Sequence, residues 1–232
     1  MDRLCRQSNL NAIRTTMTAV PKGVSEYYED ALKRIEDQPD EDKALAKKAL
    51  TYIFYAKRPL SLAELGQILA VEAGDTDLDP NAVPETEILL TVCAGLITTE
   101  EQGATVGLTH FTVQEYLDTH RDKLLGKPDA EFAKACLSYL AFDVFEDGPC
   151  MSVDQFQVRL EDYPFLEYAS HHWGNHVIGN QLHEGVGVVL SKFLGNQNRL
   201  ASSVQFLYSF SRRSDNRYDL FPKQHGPLHV AA

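Results

Sequence analysis

The stretch that decides the fold is Leu108-Thr109-His110-Phe111-Thr112-Val113-Gln114-Glu115-Tyr116-Leu117. Thr112 followed three residues later by Glu115 has the spacing of a capping box, in which a hydroxyl and a carboxylate satisfy backbone N–H groups that the first helical turn leaves without partners. This predicts a helix from Val113 to Leu125. Ahead of it, Ala104 to Thr109 alternates small or polar residues with Val106 and Leu108, the pattern of a short half-buried strand. His110 falls at the junction, a position where a side chain is held by the scaffold and faces a cleft.

Toward the N-terminus, Leu96 to Glu100 is β-branched and reads as a strand, and Glu101-Gln102-Gly103 turns it back into Ala104 to Thr109 as a hairpin. Glu85 to Ala94 carries Ile88, Leu89, Val92 and Cys93 on one helical face, with Gly95 as its stop. Gly74 to Pro84 is a loop. Ser61 with Glu64 supplies a second capping box ahead of Leu62, Leu65, Ile68, Leu69 and Val71. Arg58-Pro59 ends an amphipathic helix over Lys43 to Ala56, whose start is preceded by the acidic turn Gln38 to Asp42, favourable to the helix dipole. Ser25 can cap a helix from Glu26 to Asp37 with Tyr28, Leu32 and Ile35 as its stripe, and Pro21-Lys22-Gly23 closes a weaker helix over Asn9 to Ala19. The order helix, helix, helix, hairpin, helix matches a winged helix with a two-stranded β wing.

Toward the C-terminus, Gly126-Lys127-Pro128 breaks the chain, and Asp129 to Phe142 is a helix carrying Phe132, Cys136, Leu137, Tyr139 and Leu140. After a turn at Glu146 to Pro149, Ser152 can cap Val153 to Leu160, and Pro164 suits the first turn of Phe165 to Val177. Gly185 to Leu194 and Leu200 to Phe210 are helical as well. From Arg199 the charge changes sign, with Arg199, Arg212, Arg213, Arg217 and Lys223 against Asp215 and Asp219, and Ser211 to Phe221 reads as an exposed linker. The fold class expected is mainly α, a winged-helix domain over 39–126 followed by an α-helical bundle region over 127–210.

Composition narrows the function. The chain has 232 residues, 44% of them hydrophobic, enough for a packed core, and a formal net charge of -11. Such a balance argues against polyanion partners, and the winged helix in particular lacks any Lys or Arg between Arg58 and Arg121 while holding eleven Asp and Glu there. A DNA-reading helix without basic residues would meet phosphate repulsion, so no nucleic acid is expected. Cys5, Cys93, Cys136 and Cys150 have no C-x-x-C or disulfide-framework spacing and read as free thiols of a reducing compartment. The sequence offers neither a signal-peptide run nor a membrane-length apolar stretch, and a cytoplasmic protein without a membrane partner is expected.

Other patterns compete with blander readings. Asp75, Asp77 and Asp79 repeat like half a calcium loop, but Pro80 replaces the turn glycine and Thr86 stands where a bidentate Glu is required, so a solvated loop is the better reading. His172 and His176 are one helical turn apart, a two-ligand metal spacing, yet no third ligand is evident and packing beside Trp173 is favoured. Gly185-Val186-Gly187 lacks the third glycine of a dinucleotide fingerprint and reads as a close helix contact. Neither a G-x-S-x-G elbow nor a G-x-x-x-x-G-K-[ST] phosphate loop occurs, and no catalytic residues can be assigned from spacing.

Three stretches, Val20 to Tyr28, Arg58 to Leu65 and His110 to Leu117, resemble the segment that follows the NACHT nucleotide-binding domain in fungal signal-transducing (STAND) ATPases with ankyrin repeats, relatives of NLR receptors. The winged helix in that segment is named after GPI inositol-deacylase. Pro164 to His176 resembles the helical region that follows it, and Gly226-Pro227-Leu228-His229-Val230-Ala231-Ala232 is similar to the T-P-L-H-x-A-A opening of an ankyrin repeat. The resemblance implies that 1–38 is a helical segment trailing a NACHT domain and that 211–232 is a linker with a truncated ankyrin start, both ends being cut from a longer protein. It also implies that His110 occupies the position of a histidine that contacts the phosphates of bound ADP and holds the closed state, a role latent in a chain without the ATPase. The expected function is a non-enzymatic regulatory and scaffolding module with no cofactor in this chain, its partners being the NACHT nucleotide-binding domain and the ankyrin repeats, in cis or in trans. The alternative is an autonomous protein–protein interaction adaptor.

Overall fold

A computed structural model describes residues 22–72, 74–99, 105–124, 128–178, 183, 185–210 and 221. The expected helix over Asn9 to Ala19, the hairpin turn Glu101 to Gly103, and the ankyrin-like C-terminus lie outside them, as does nearly all of the expected linker. The order is α1 (Lys22–Glu36), α2 (Asp40–Tyr55), β1 (Leu60–Ser61), α3 (Leu62–Ala70), α4 (Thr86–Val92), β2 (Ile97–Thr99), β3 (Thr105–Leu108), α5 (Phe111–Leu124), α6 (Pro128–Leu140), α7 (Val153–Asp162), α8 (Phe165–Val177), α9 (Val186–Leu194) and α10 (Gln197–Phe210). Short 3-10 turns occupy Pro80–Ala82 and Asp143–Asp147. The architecture is mainly helical, a winged helix followed by a helical bundle, as expected.

The sheet is larger than the two-stranded wing read from the sequence. Its order is β1-β3-β2, antiparallel throughout, with Leu60 paired to Val106 and Ser61 to Thr105. Two residues are too few to show an alternation, and β1 is defined only by its distant partner, which is why the sequence reading stopped at a hairpin. Ile97 pairs with Leu108 and Thr99 with Val106, so β3 is the central strand and delivers the chain to His110.

Helix starts follow local chemistry where that chemistry is strong. In α3 the Ser61 hydroxyl accepts the Glu64 N–H at 3.1 Å while the Glu64 carboxylate accepts the Ser61 N–H at 2.7 Å, the reciprocal box read from the sequence. Ser152 caps α7 by accepting the Gln155 N–H at 3.2 Å. Asp40, Glu41 and Asp42 form the first turn of α2 rather than preceding it, and the dipole argument holds there. Ser25 is not a cap: α1 begins three residues earlier, at Lys22, so Ser25 lies inside its first turn. Arg199, from which the charge balance changes sign along the chain, does not face solvent. It is buried on α10 and pairs with Asp143 at 2.6 Å and Glu146 at 2.9 Å, tying α10 to the 143–147 turn.

One buried cluster runs from Tyr28 through Leu65, Phe132 and Tyr168 to Phe206. Tyr52 of α2 lies outside the apolar face that Leu45, Ala49, Leu50, Ile53 and Phe54 mark in the sequence, yet it is buried because α6 lies against it, with the Phe132 ring stacked at 4.6 Å. Gln67 of α3 donates to the Asp162 carbonyl at 2.7 Å and accepts the Tyr139 hydroxyl at 2.5 Å. The winged helix and the bundle therefore share apolar and polar contacts. Gly185 is the N-cap of α9 with φ +85°, a left-handed conformation that favours glycine, and an added Cβ would lie 3.1 Å from Lys134 Cε of α6.

Candidate functional site

His110 follows β3 and precedes α5, and it lines a cleft of about 400 Å³. The other walls are Ile53 and Phe54 at the end of α2, the elbow Ala56 to Leu60, residues Val106 to Leu108, and Phe111 and Gln114 of α5. Phe111 is 57% exposed, and no Asp or Glu is among the lining residues. Lys57 and Arg58 are the cations of the cleft, and they differ. Arg58 is bound to Glu64 at 2.6 and 3.0 Å, lies 3.9 Å from Glu167, and stacks over the Tyr168 ring at 5.2 Å. Lys57 is exposed and makes no ion pair among the described residues, and its charge is also felt behind the cleft, where it helps lower the pKa values of His172 and His176. A cleft lined by an exposed Lys, an imidazole, an apolar ring and no carboxylate suits an anionic group attached to a flat or apolar body.

The start of α5 departs from the expected capping box. The helix begins at Phe111, two residues before the expected Val113, because His110 does the capping: its Nδ1 accepts the Thr112 N–H at 3.3 Å, and its carbonyl accepts the Val113 N–H at 2.9 Å. The Thr112 hydroxyl turns sideways, 2.8 Å from His110 Nδ1 and 2.5 Å from the Tyr28 hydroxyl of α1.

Behind the cleft the elbow is bolted to the bundle. The Lys57 N–H donates to the Tyr168 hydroxyl at 2.9 Å, and that hydroxyl lies 2.9 Å from His176 Nε2. His176 is fully buried against Phe132, and burial, helped by Lys57 and His172, lowers its pKa to about 3. Burial, partly opposed by Arg58, raises the Glu167 carboxyl above its ordinary value.

The other candidates resolve structurally. His176 bonds Tyr168, while His172 sits on the Tyr168 ring and Trp173 packs edge-on against Phe193. Asp75 accepts the Glu72 N–H, Asp77 accepts the Leu78 N–H and the Tyr163 hydroxyl, and Asp79 caps the 3-10 turn, so all three carboxylates are engaged in holding the loop. Among the described residues no group of three or more His, Cys, Asp or Glu converges on a point. Tyr28, Lys57 and Tyr168 were not singled out as site residues. The one local signal was Lys57-Arg58 standing just before a helix-stopping proline in an acidic chain.

Among the described residues no helix is long and apolar enough to cross a membrane. No curated protein and no solved structure matches the chain. Residues 36–135, from the end of α1 into α6, match the family model described as the GPI inositol-deacylase, winged helix domain, and this matched stretch contains every residue that lines the cleft.

Proposed function

We propose that the chain is a non-enzymatic regulatory module that couples an upstream NACHT-type nucleotide switch to downstream ankyrin repeats. In this reading His110 and Lys57 receive the diphosphate of ADP held by the nucleotide domain, and the winged helix parts from that domain when ADP leaves. The observation that carries it is the base-lined, acid-free cleft at His110, backed by an elbow whose Lys57 N–H is bonded to Tyr168 of the bundle. A change at the cleft is thereby felt in the helical half, which would pass it to the repeats. The matched family is consistent with a regulatory winged helix, and the resemblance of the flanking segments supplies the NACHT and ankyrin context.

The test is capture of a NACHT-bearing chain by the purified protein in ADP and in ATP. Recovery in ADP and release in ATP supports the switch, and capture indifferent to nucleotide overturns it. The purified chain should show no ATP hydrolysis of its own. A second reading, an autonomous adaptor, is favoured by one feature: a groove of about 540 Å³ where Met151, 80% exposed, and Val158, 55% exposed, stand among Asp147, Asp154 and Asp162. Basic partners recovered regardless of nucleotide, and lost on Met151→Glu, would favour it.

A further inference from the structure

We infer that Tyr28 and Thr112 are positioning residues that hold His110 as its Nε2–H tautomer, so that the ring offers the cleft one N–H donor. The inference deepens the phosphate-contact reading and rests on it for the ligand, but the tautomer stands on geometry alone. A neutral imidazole carries one proton, and its position follows from what the other nitrogen accepts. The Thr112 backbone N–H can only donate, and it points at Nδ1 from 3.3 Å. Nδ1 must then present its lone pair. The Thr112 hydroxyl, 2.8 Å from the same nitrogen, donates to it as well, which leaves the hydroxyl oxygen to accept from Tyr28 at 2.5 Å. The chain of donors runs one way: Tyr28 O–H to Thr112 Oγ1, Thr112 O–H to His110 Nδ1, and the proton of the ring lies on Nε2.

The first turn of a helix supports the same direction, because its N–H groups need acceptors and a protonated Nδ1 would face them with a like dipole. Tyr28 is held to do this: it is 5% exposed on α1 and its ring lies 5.4 Å from that of Tyr116 on α5. Nε2 has no hydrogen-bond partner among the described residues and belongs to an exposed ring in the wall of the cleft. A ligand bound there must bring an acceptor, as a phosphate oxygen does. Because Tyr28 stands on α1, any displacement of α1 from α5 loosens the tautomer of His110, which connects the segment preceding the winged helix to the cleft.

The experiment is long-range 15N–1H correlation on the full chain labelled with 15N-histidine, recorded where the ring is neutral, with His110 assigned from the signal lost in His110→Gln. The expected result is an unprotonated Nδ1 and a protonated Nε2. A ring with the proton on Nδ1, or an even mixture, overturns the inference. Tyr28→Phe and Thr112→Val should raise the Nδ1–H fraction several-fold, and Thr112→Ser should restore the wild-type pattern. A tautomer indifferent to both variants, with only thermal stability lowered, also overturns it, since a merely structural role predicts that outcome. Titration with inorganic pyrophosphate then separates the two readings: a saturable shift of Nε2, several-fold weaker in Tyr28→Phe, supports the phosphate site. No shift in a chain with the expected tautomer overturns the ligand reading alone.

Discussion

At the scale of single residues, His176 is the group whose chemistry most constrains the molecule. Its ring is enclosed by Phe132 and Tyr168, and the Tyr168 hydroxyl that bonds it also accepts the Lys57 N–H. Taking a proton there would place a cation in an aromatic box with Lys57 and His172 nearby, which is why the pKa falls from 6.5 to about 3. The sign follows. Between these values the unfolded chain binds a proton that the folded chain refuses, so stability is full above pH 6.5 and is lost progressively as pH falls toward 3. The gap has a ceiling of about 5 kcal/mol, of which a few kcal/mol is the expected realised loss. Urea titrations at stepped pH should show the midpoint falling across this window, and His176→Gln should flatten the fall while starting from a lower plateau. An acid limb unchanged in His176→Gln would assign the loss to other groups.

At the scale of elements, the joint between α2 and α3 combines a cap, an ion pair and a strand. Glu64 is 6% exposed, closes the Ser61 box and grips Arg58 with both oxygens, while Leu60-Ser61 pairs with β3. Glu64→Gln keeps the shape and one acceptor but uncouples Arg58. With the Arg58 side chain 34% exposed, water takes up part of the loss, and a cost of about 1–2 kcal/mol in thermal or urea unfolding is expected. Ser61→Ala should cost about 1 kcal/mol for the cap alone. The cap of this joint was legible in the sequence because its chemistry, Ser61 to Glu64, lies within four residues, as was the Ser152 cap. What escaped depends on distant partners: β1 exists through β3, Tyr52 is buried by α6, and Arg199 is drawn inward by Asp143 and Glu146. The site divides in the same way. His110 was visible as a junction residue, but its capping role and the Tyr28 hydroxyl that reaches it through Thr112 arise only once α1 and α5 are assembled, and Lys57 joins the same cleft wall only through the elbow after α2.

At the scale of the whole molecule, the question is whether the winged helix and the bundle act separately or as one body. Four contacts join them independently of the connection at 124–128: Tyr52 stacked on Phe132, Gln67 to Asp162, Tyr139 to Gln67, and Lys57 to Tyr168. The buried cluster is continuous across them, so exposing either half would uncover apolar surface and unpaired polar groups on the other. The expectation is a single cooperative transition. The sequence provides the probe, because its one tryptophan, Trp173, lies in α8 of the bundle, far along the chain from the winged helix. Leu65 of α3 is fully buried, and Leu65→Ala should cost about 3 kcal/mol through lost burial and a cavity. In one body, that loss in the winged helix must move the Trp173 fluorescence transition by the same free energy as the far-ultraviolet dichroism transition, with unchanged urea dependence. If Trp173 unfolds at its wild-type midpoint while part of the helical signal melts early, the halves are thermodynamically separate, and a movement of the winged helix would not be delivered to the bundle through the Lys57–Tyr168 bond.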